Sequence, residues 1–298
     1  MKNSIWKFLL FLVFPAILLS GAASAINYDD DLVRYIARQK NKIPKKYTAP
    51  TETQIQLFRE MIYDMLQGAF SGASQIAGIL GYNIKSMNEN NGLTYYILES
   101  ADPKHRPWGT YVFYLGGNNQ NYIIEVPHPF EEKNTSIIGI KAFITDSTFI
   151  SHGNSNAFFM SGSRKGEGDV ANIEDSMFLA AHKEAVDNRH STIVQIHGFN
   201  KKSYPQIVMT SGSPVGNSEM DAFFDQFIQR EFDVGTYNGI QYQDCGATEN
   251  KEAQYCNAVG IPFVGIFLNK QTHYSHRKST LVEQGIKEVT VSETFGIE

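Results

Sequence analysis

The chain has 298 residues, 42% of them hydrophobic, with 26 Lys and Arg against 31 Asp and Glu for a formal net charge of −5. That is length enough to bury a sizeable core as one large domain or two small ones. The acidic balance, with no basic cluster beyond Lys42-Ile43-Pro44-Lys45-Lys46, excludes nucleic acid as a partner.

Lys2 and Lys7, the apolar run Phe8–Leu19 interrupted only by Pro15, and the closing Ala23-Ser24-Ala25 follow the order of a cleavable signal peptide over residues 1–25. The apolar run is shorter than the roughly 20 residues of a spanning helix, and no later segment is long and apolar enough to span. The expectation is a secreted or periplasmic protein with no stable membrane insertion after cleavage at Ile26. Residues 26–50 are polar and proline-containing and read as an N-terminal arm, followed by a single domain over 51–298.

Ile55, Phe58, Ile62 and Leu66 recur at helical spacing and predict an amphipathic helix from Thr51, which Ser71–Leu80 extends or follows as a second short helix. Short β-rich runs then alternate with helical ones. Strands are predicted at 95–99, 110–115, 122–126, 148–151, 192–197, 207–210, 262–268 and 288–292, and helices at 135–143, 175–186, 218–232 and 279–285. That rhythm predicts an α/β fold, a mainly parallel or mixed sheet flanked by helices, with ligands at the carboxyl ends of its strands. Cys245 and Cys256 are the two cysteines; in an oxidising compartment, a pair bracketing a short loop predicts a disulfide.

Three predicted strand ends carry histidine. Tyr122–Val126 runs into Pro127-His128-Pro129-Phe130-Glu131-Glu132, Thr148–Ser151 ends at His152, and Thr192–Ile196 ends at His197-Gly198-Phe199. Imidazole and carboxylate are the ligands of catalytic zinc, which keeps three protein ligands and one open position. His128 and His197 with Glu131 or Glu132 offer that set; His152 is as well read as a surface residue. Asp169 either orients a ligand histidine from behind or caps the turn after it, and His182, on a helix, reads as a packed, hydrogen-bonded residue.

The segments Val126-Pro127-His128-Pro129, Asn134-Thr135, Gly168-Asp169-Val170-Ala171-Asn172, Ser176-Met177-Phe178, Ala181-His182 and Gln195-Ile196-His197-Gly198-Phe199 resemble exported bacterial proteins related to the zinc carboxypeptidase and phage poly-γ-glutamate hydrolase superfamily. The resemblance covers about 122–211. It implies a phosphorylase/hydrolase-like α/β fold and one Zn2+ held by His128, His197 and a glutamate. The carboxypeptidase spacing selects Glu131, slightly favoured, and the hydrolase pattern through Thr135-Ser136 selects Glu132. It also implies a general base on a late strand, for which Glu293 is the candidate and Glu288 the reserve, and Arg164 is the best cation for a developing oxyanion. The implied activity is hydrolysis of amide bonds in peptide, γ-glutamyl or cell-wall material, a metallopeptidase-like role. Two rivals stand beside it: a non-catalytic exported binding protein on the same fold, and a serine α/β-hydrolase, for which Ser163, Ser211 and Ser213 lack the flanking glycines of a nucleophile elbow.

Overall fold

The computed structural model describes residues 32–39, 46–89, 92–116, 122–144, 155–166, 168–189 and 191–292. The leader, His152, Glu293 and the strand expected at 148–151 lie outside these residues.

The described strands are β1 (Tyr82–Asn88), β2 (Thr94–Ser100), β3 (Thr110–Tyr114), β4 (Tyr122–Val126), β5 (Ser155–Met160), β6 (Thr192–Phe199), β7 (Ile207–Thr210), β8 (Val234–Thr236) and β9 (Phe263–Asn269). They form a nine-stranded sheet in the order β1-β2-β3-β5-β4-β6-β9-β7-β8. Its centre, β5-β4-β6-β9, is parallel. The pairs β1/β2, β2/β3, β3/β5 and β7/β9 are antiparallel, which makes the sheet mixed, as expected.

The helices are α1 (Leu32–Gln39), α2 (Glu52–Gln67), α3 (Phe70–Leu80), α4 (Thr135–Phe143), α5 (Met177–Arg189), α6 (Ser218–Gln229), α7 (Lys251–Val259), α8 (Lys270–Tyr274) and α9 (His276–Ser292). Residues of α1, α4, α6 and α9 share one buried cluster on one face of the sheet, and residues of α2, α3, α5 and α7 a second cluster on the other. Central strands covered on both sides read as continuous apolar runs, and every residue of β4 is buried. The pleat still sorts them: Tyr122, Ile124 and Val126 join the first cluster, while Ile123 joins the second.

Local chemistry fixes the ends. Thr51 and Gln54 form a reciprocal capping box that starts α2. Gly139 lets α4 lie close on β4 and β5, since a Cβ there would stand 2.9 Å from the Phe158 ring and 3.0 Å from Val126 Cγ2. This close seat anchors the far end of the loop that carries His128 and Glu132.

Four expectations change. The polar arm contains α1, whose Leu32, Tyr35 and Ile36 are buried against the core and whose Tyr35 hydroxyl donates to Glu99. Residues 288–292 continue α9 instead of forming a late strand, because a helix begun at His276 carries Val282 and Ile286 into the core one turn apart. Five elements, β1, β5, β8, α7 and α8, were not foreseen. Finally, Cys245 and Cys256 are both buried and free. Cys245 packs in a 3-10 turn against Val208 and Phe267, whereas α7 turns Cys256 towards α5, its Sγ 3.4 Å from His182 Nε2. Burial raises both thiol pKa values, that of Cys245 to about 12.

Candidate metal centre

Two strand ends build the centre. After β4 the chain turns tightly, with Glu132 N donating to the His128 carbonyl at 3.1 Å and Thr135 capping the Glu132 carbonyl through its N and Oγ1. Four residues apart on this turn, His128 and Glu132 face the same way, with 3.0 Å between Nδ1 and Oε1. From the adjacent parallel strand, His197 Nδ1 lies 3.6 Å from Glu132 Oε2, and Gly198 N donates to the same oxygen at 2.8 Å. A Cβ at Gly198 would come within 3.1 Å of Glu132 Cβ and of His273 Nε2, so a glycine is what lets β6 approach this closely.

The three side chains are buried, and one donor atom from each lies within 4.8 Å of the others. The outer nitrogens of both imidazoles are engaged: His128 Nε2 meets Asp169 Oδ1 at 2.7 Å and His197 Nε2 meets Gln195 Oε1 at 2.7 Å. Acceptors behind the rings place the N–H on Nε2 and leave Nδ1 of each ring aimed at Glu132. Two imidazole nitrogens and a carboxylate, converging and held from behind, fit a three-ligand divalent metal site with an open side.

Electrostatics agrees. Burial alone would raise Glu132, but the hydrogen bonds and charges of His128 and His197 hold its carboxyl far below the usual carboxylate range. Burial likewise pulls His128 down, and the hydrogen bonds to Asp169 and Glu132 overcome it and lift the imidazole to about 9. His197 is lowered, burial outweighing its contact with Glu132. The buried carboxylate thus demands a cation, and in the metal-free chain a proton on His128 supplies it.

Two cavities of about 340 Å³ each open on the cluster. One is lined by Glu132, Gly198, Phe199, His273 and Tyr274, the other by His128, Asp169, His197, Glu249 and Phe267. Lys165 lines both, its Nζ 4.0 Å from Glu132 Oε1. The Phe267 ring stacks on His197 with centroids 4.4 Å apart.

Of the two candidate glutamates, Glu132 is the one brought to the histidines. Glu131, the slightly favoured one, turns to the neighbouring loop, where it accepts from Arg164 Nε and Lys165 N at 3.2 Å each. Arg164 is thereby an exposed partner of Glu131, and among the described residues Lys165 and Lys270 are the lysines that line the cleft, Lys165 on both cavities. Asp169 sits behind His128, as one of its two readings had it, and His182 is a packed, hydrogen-bonded residue. The last strand of the sheet, β9, closes on Phe267-Leu268-Asn269 with no carboxylate, so the described sheet offers no late-strand base. Ser211 and Ser213 direct their hydroxyls at each other and at the Val215 carbonyl. Lys165, Gln195 and His273 were missed. Only Gln195 left a signal, two residues before His197 on one strand face.

No protein-family model matches the chain, and no curated protein matches it. Among solved structures, it is similar to a metallo-carboxypeptidase from Burkholderia cenocepacia (12% identity, 78% of this chain and 69% of that one, TM-score 0.46). It is also similar to a bacteriophage poly-γ-glutamate hydrolase (12%, 63% and 91%, TM-score 0.36) and to an N-formylglutamate amidohydrolase from Ralstonia eutropha (7%, 60% and 94%, TM-score 0.39).

Proposed function

We propose that the chain is an exported zinc-dependent hydrolase of amide bonds, with His128, Glu132 and His197 as the metal ligands and peptide, γ-glutamyl or cell-wall material as substrate. The observation that carries the reading is the convergence of three buried donor atoms whose imidazoles are braced from behind, at the mouth of two cavities. Zinc bound there supplies Lewis acidity towards a carbonyl oxygen and lowers the pKa of water. The protein's own part is to hold the ligand side chains and to keep the Lys165 ammonium on both cavities beside Glu132, where it would be available to a developing oxyanion. A proton acceptor is also required; Glu249 in the cavity wall and Glu293 are the carboxylates to test.

A second reading has its own observation. Because β9 ends without a carboxylate and places Phe267 against His197, a metal-binding protein that retains substrate without cleaving it is the alternative.

The full chain, purified with its zinc, is to be assayed on peptides, γ-glutamyl chains and N-acyl amino acids beside His128→Ala and His197→Ala. Turnover lost in both variants supports the hydrolase, and turnover lost in Glu249→Gln or Glu293→Gln names the base. Zinc without turnover on any amide supports the second reading. A wild type without stoichiometric zinc ends both. Export is checked separately, by fractionation and an N-terminus at Ile26.

A further inference from the structure

His197 is braced differently from His128. Gln195 and His197 share a face of β6, being two residues apart on a strand, and His197 Nε2 lies 2.7 Å from Gln195 Oε1. The same oxygen lies 2.6 Å from Asn250 Nδ2. At its other end, Gln195 Nε2 is 3.0 Å from Glu125 Oε2, Glu125 being its partner in the β4/β6 ladder. All four side chains are buried.

This arrangement permits one orientation of the Gln195 amide. A carboxylate only accepts, so Gln195 turns its NH2 to Glu125 and its carbonyl oxygen to His197. Asn250 is fixed independently: its Oδ1 accepts from Ala253 N at 2.8 Å as the cap of α7, which leaves its NH2 for Gln195. A reversed Gln195 would set NH2 against NH2 at Asn250 and a carbonyl against the Glu125 carboxylate. Both lone pairs of Gln195 Oε1 are used, and His197 must bring it an N–H. The nitrogen left bare is Nδ1, the one that faces Glu132.

We infer that Gln195 is a positioning residue that sets the tautomer and ring orientation of His197, its own direction imposed by Glu125 on β4 and Asn250 at the start of α7. The inference rests on reading the cluster as a metal centre. Glu125 is tied in turn to His182 on α5, Nδ1 to Oε1 at 2.9 Å. The choice of metal-facing nitrogen is therefore made in the buried layer beneath α5 and α7. At His128 the same choice is made by Asp169 at the cleft edge, in one step.

The test is the imidazole tautomer of the metal-free full chain, read by long-range 1H–15N correlation at about pH 8, together with zinc affinity. Wild-type His197 is expected to carry its proton on Nε2. Gln195→Met keeps the length and removes the acceptor; it should mix or reverse the tautomer and weaken zinc binding about 10- to 100-fold. Gln195→Glu keeps an oxygen towards His197 and should preserve the tautomer and hold zinc more tightly than the methionine variant. A wild-type His197 protonated on Nδ1 overturns the inference, and that reading needs no variant to fold. So does a folded Gln195→Met with tautomer and zinc affinity unchanged. A wild type that binds no zinc sinks the metal-centre reading instead, while the tautomer still decides the role of Gln195.

Discussion

The two faces of the central sheet are built from the same three strands and obey different rules. Towards α1, α4, α6 and α9, β4 presents Tyr122, Ile124 and Val126, β6 presents Val194 and Ile196, and β9 presents Val264, Ile266 and Leu268, all in one apolar cluster. Towards α5 and α7, each strand starts apolar, with Ile123, Ile193 and Phe263. It then meets Glu125 on β4 and Gln195 and His197 on β6, buried and hydrogen-bonded in one connected chain. One face is sealed for stability. The other admits buried polar groups and pairs them along this chain, because an unpaired one costs about 1–3 kcal/mol; Glu252 is the exception.

The largest effect that sharpens this contrast is a cavity in the sealed face. Phe158→Ala should cost about 3–5 kcal/mol in denaturant unfolding and leave zinc bound per folded molecule unchanged; altered zinc affinity would mean the faces are not independent. Metal removal comes next, from the other face. With free zinc about a thousandfold above its Kd, the loaded chain should be stabilised by about 4 kcal/mol, so chelation should lower the Tm of wild type and not that of His197→Ala.

Glu252 is the weak point of the polar face. It is fully buried on α7, and its carboxyl oxygens make no hydrogen bond of normal geometry among the described residues; the charge of His182, its own backbone N–H and Gln195 offset its burial only in part. Burial first and the charge of Glu125 second push its pKa up to about 8. The folded chain then holds a proton that the unfolded chain releases, so this group's contribution to stability falls as pH rises from the ordinary carboxyl range through about 8. Glu252→Gln should therefore gain on wild type across that window, by an amount on the order of 1–3 kcal/mol at its upper end. A difference that stays flat with pH would show that Glu252 is already charged. Smallest of all is reduction: with both cysteines free, a thiol reductant should leave Tm where it is, and a drop of several degrees would restore the disulfide.

Much of this architecture was legible because its signals were local. β4, β7 and α4 fall on the residues their patterns predicted; His128 follows the end of β4 as read, while His197 stands inside β6, which runs on to Phe199. β5 was invisible because Ser155–Met160 contains no β-branched residue, whereas β4, just as buried, carries Ile123, Ile124 and Val126. Val289-Thr290-Val291 suggested a strand because β-branched residues favour one, and tertiary packing of α9 overrode that preference. Glu131 and Glu132 could not be separated by spacing, since residues three and four along a tight turn both fall near His128. What separates them is Gly198 N, which comes from another strand and holds Glu132. The cysteine pair failed for the same reason: closeness in sequence says nothing of the helix that turns Cys256 towards His182.

The central claim is best tested where the two faces and the two glutamates meet, by measuring zinc affinity in Glu132→Gln and Glu131→Gln beside wild type. Stoichiometric zinc in wild type, near-wild-type affinity in Glu131→Gln and a loss of at least about tenfold in Glu132→Gln is the predicted result. The reverse order, or a wild type that takes up no zinc, would contradict it.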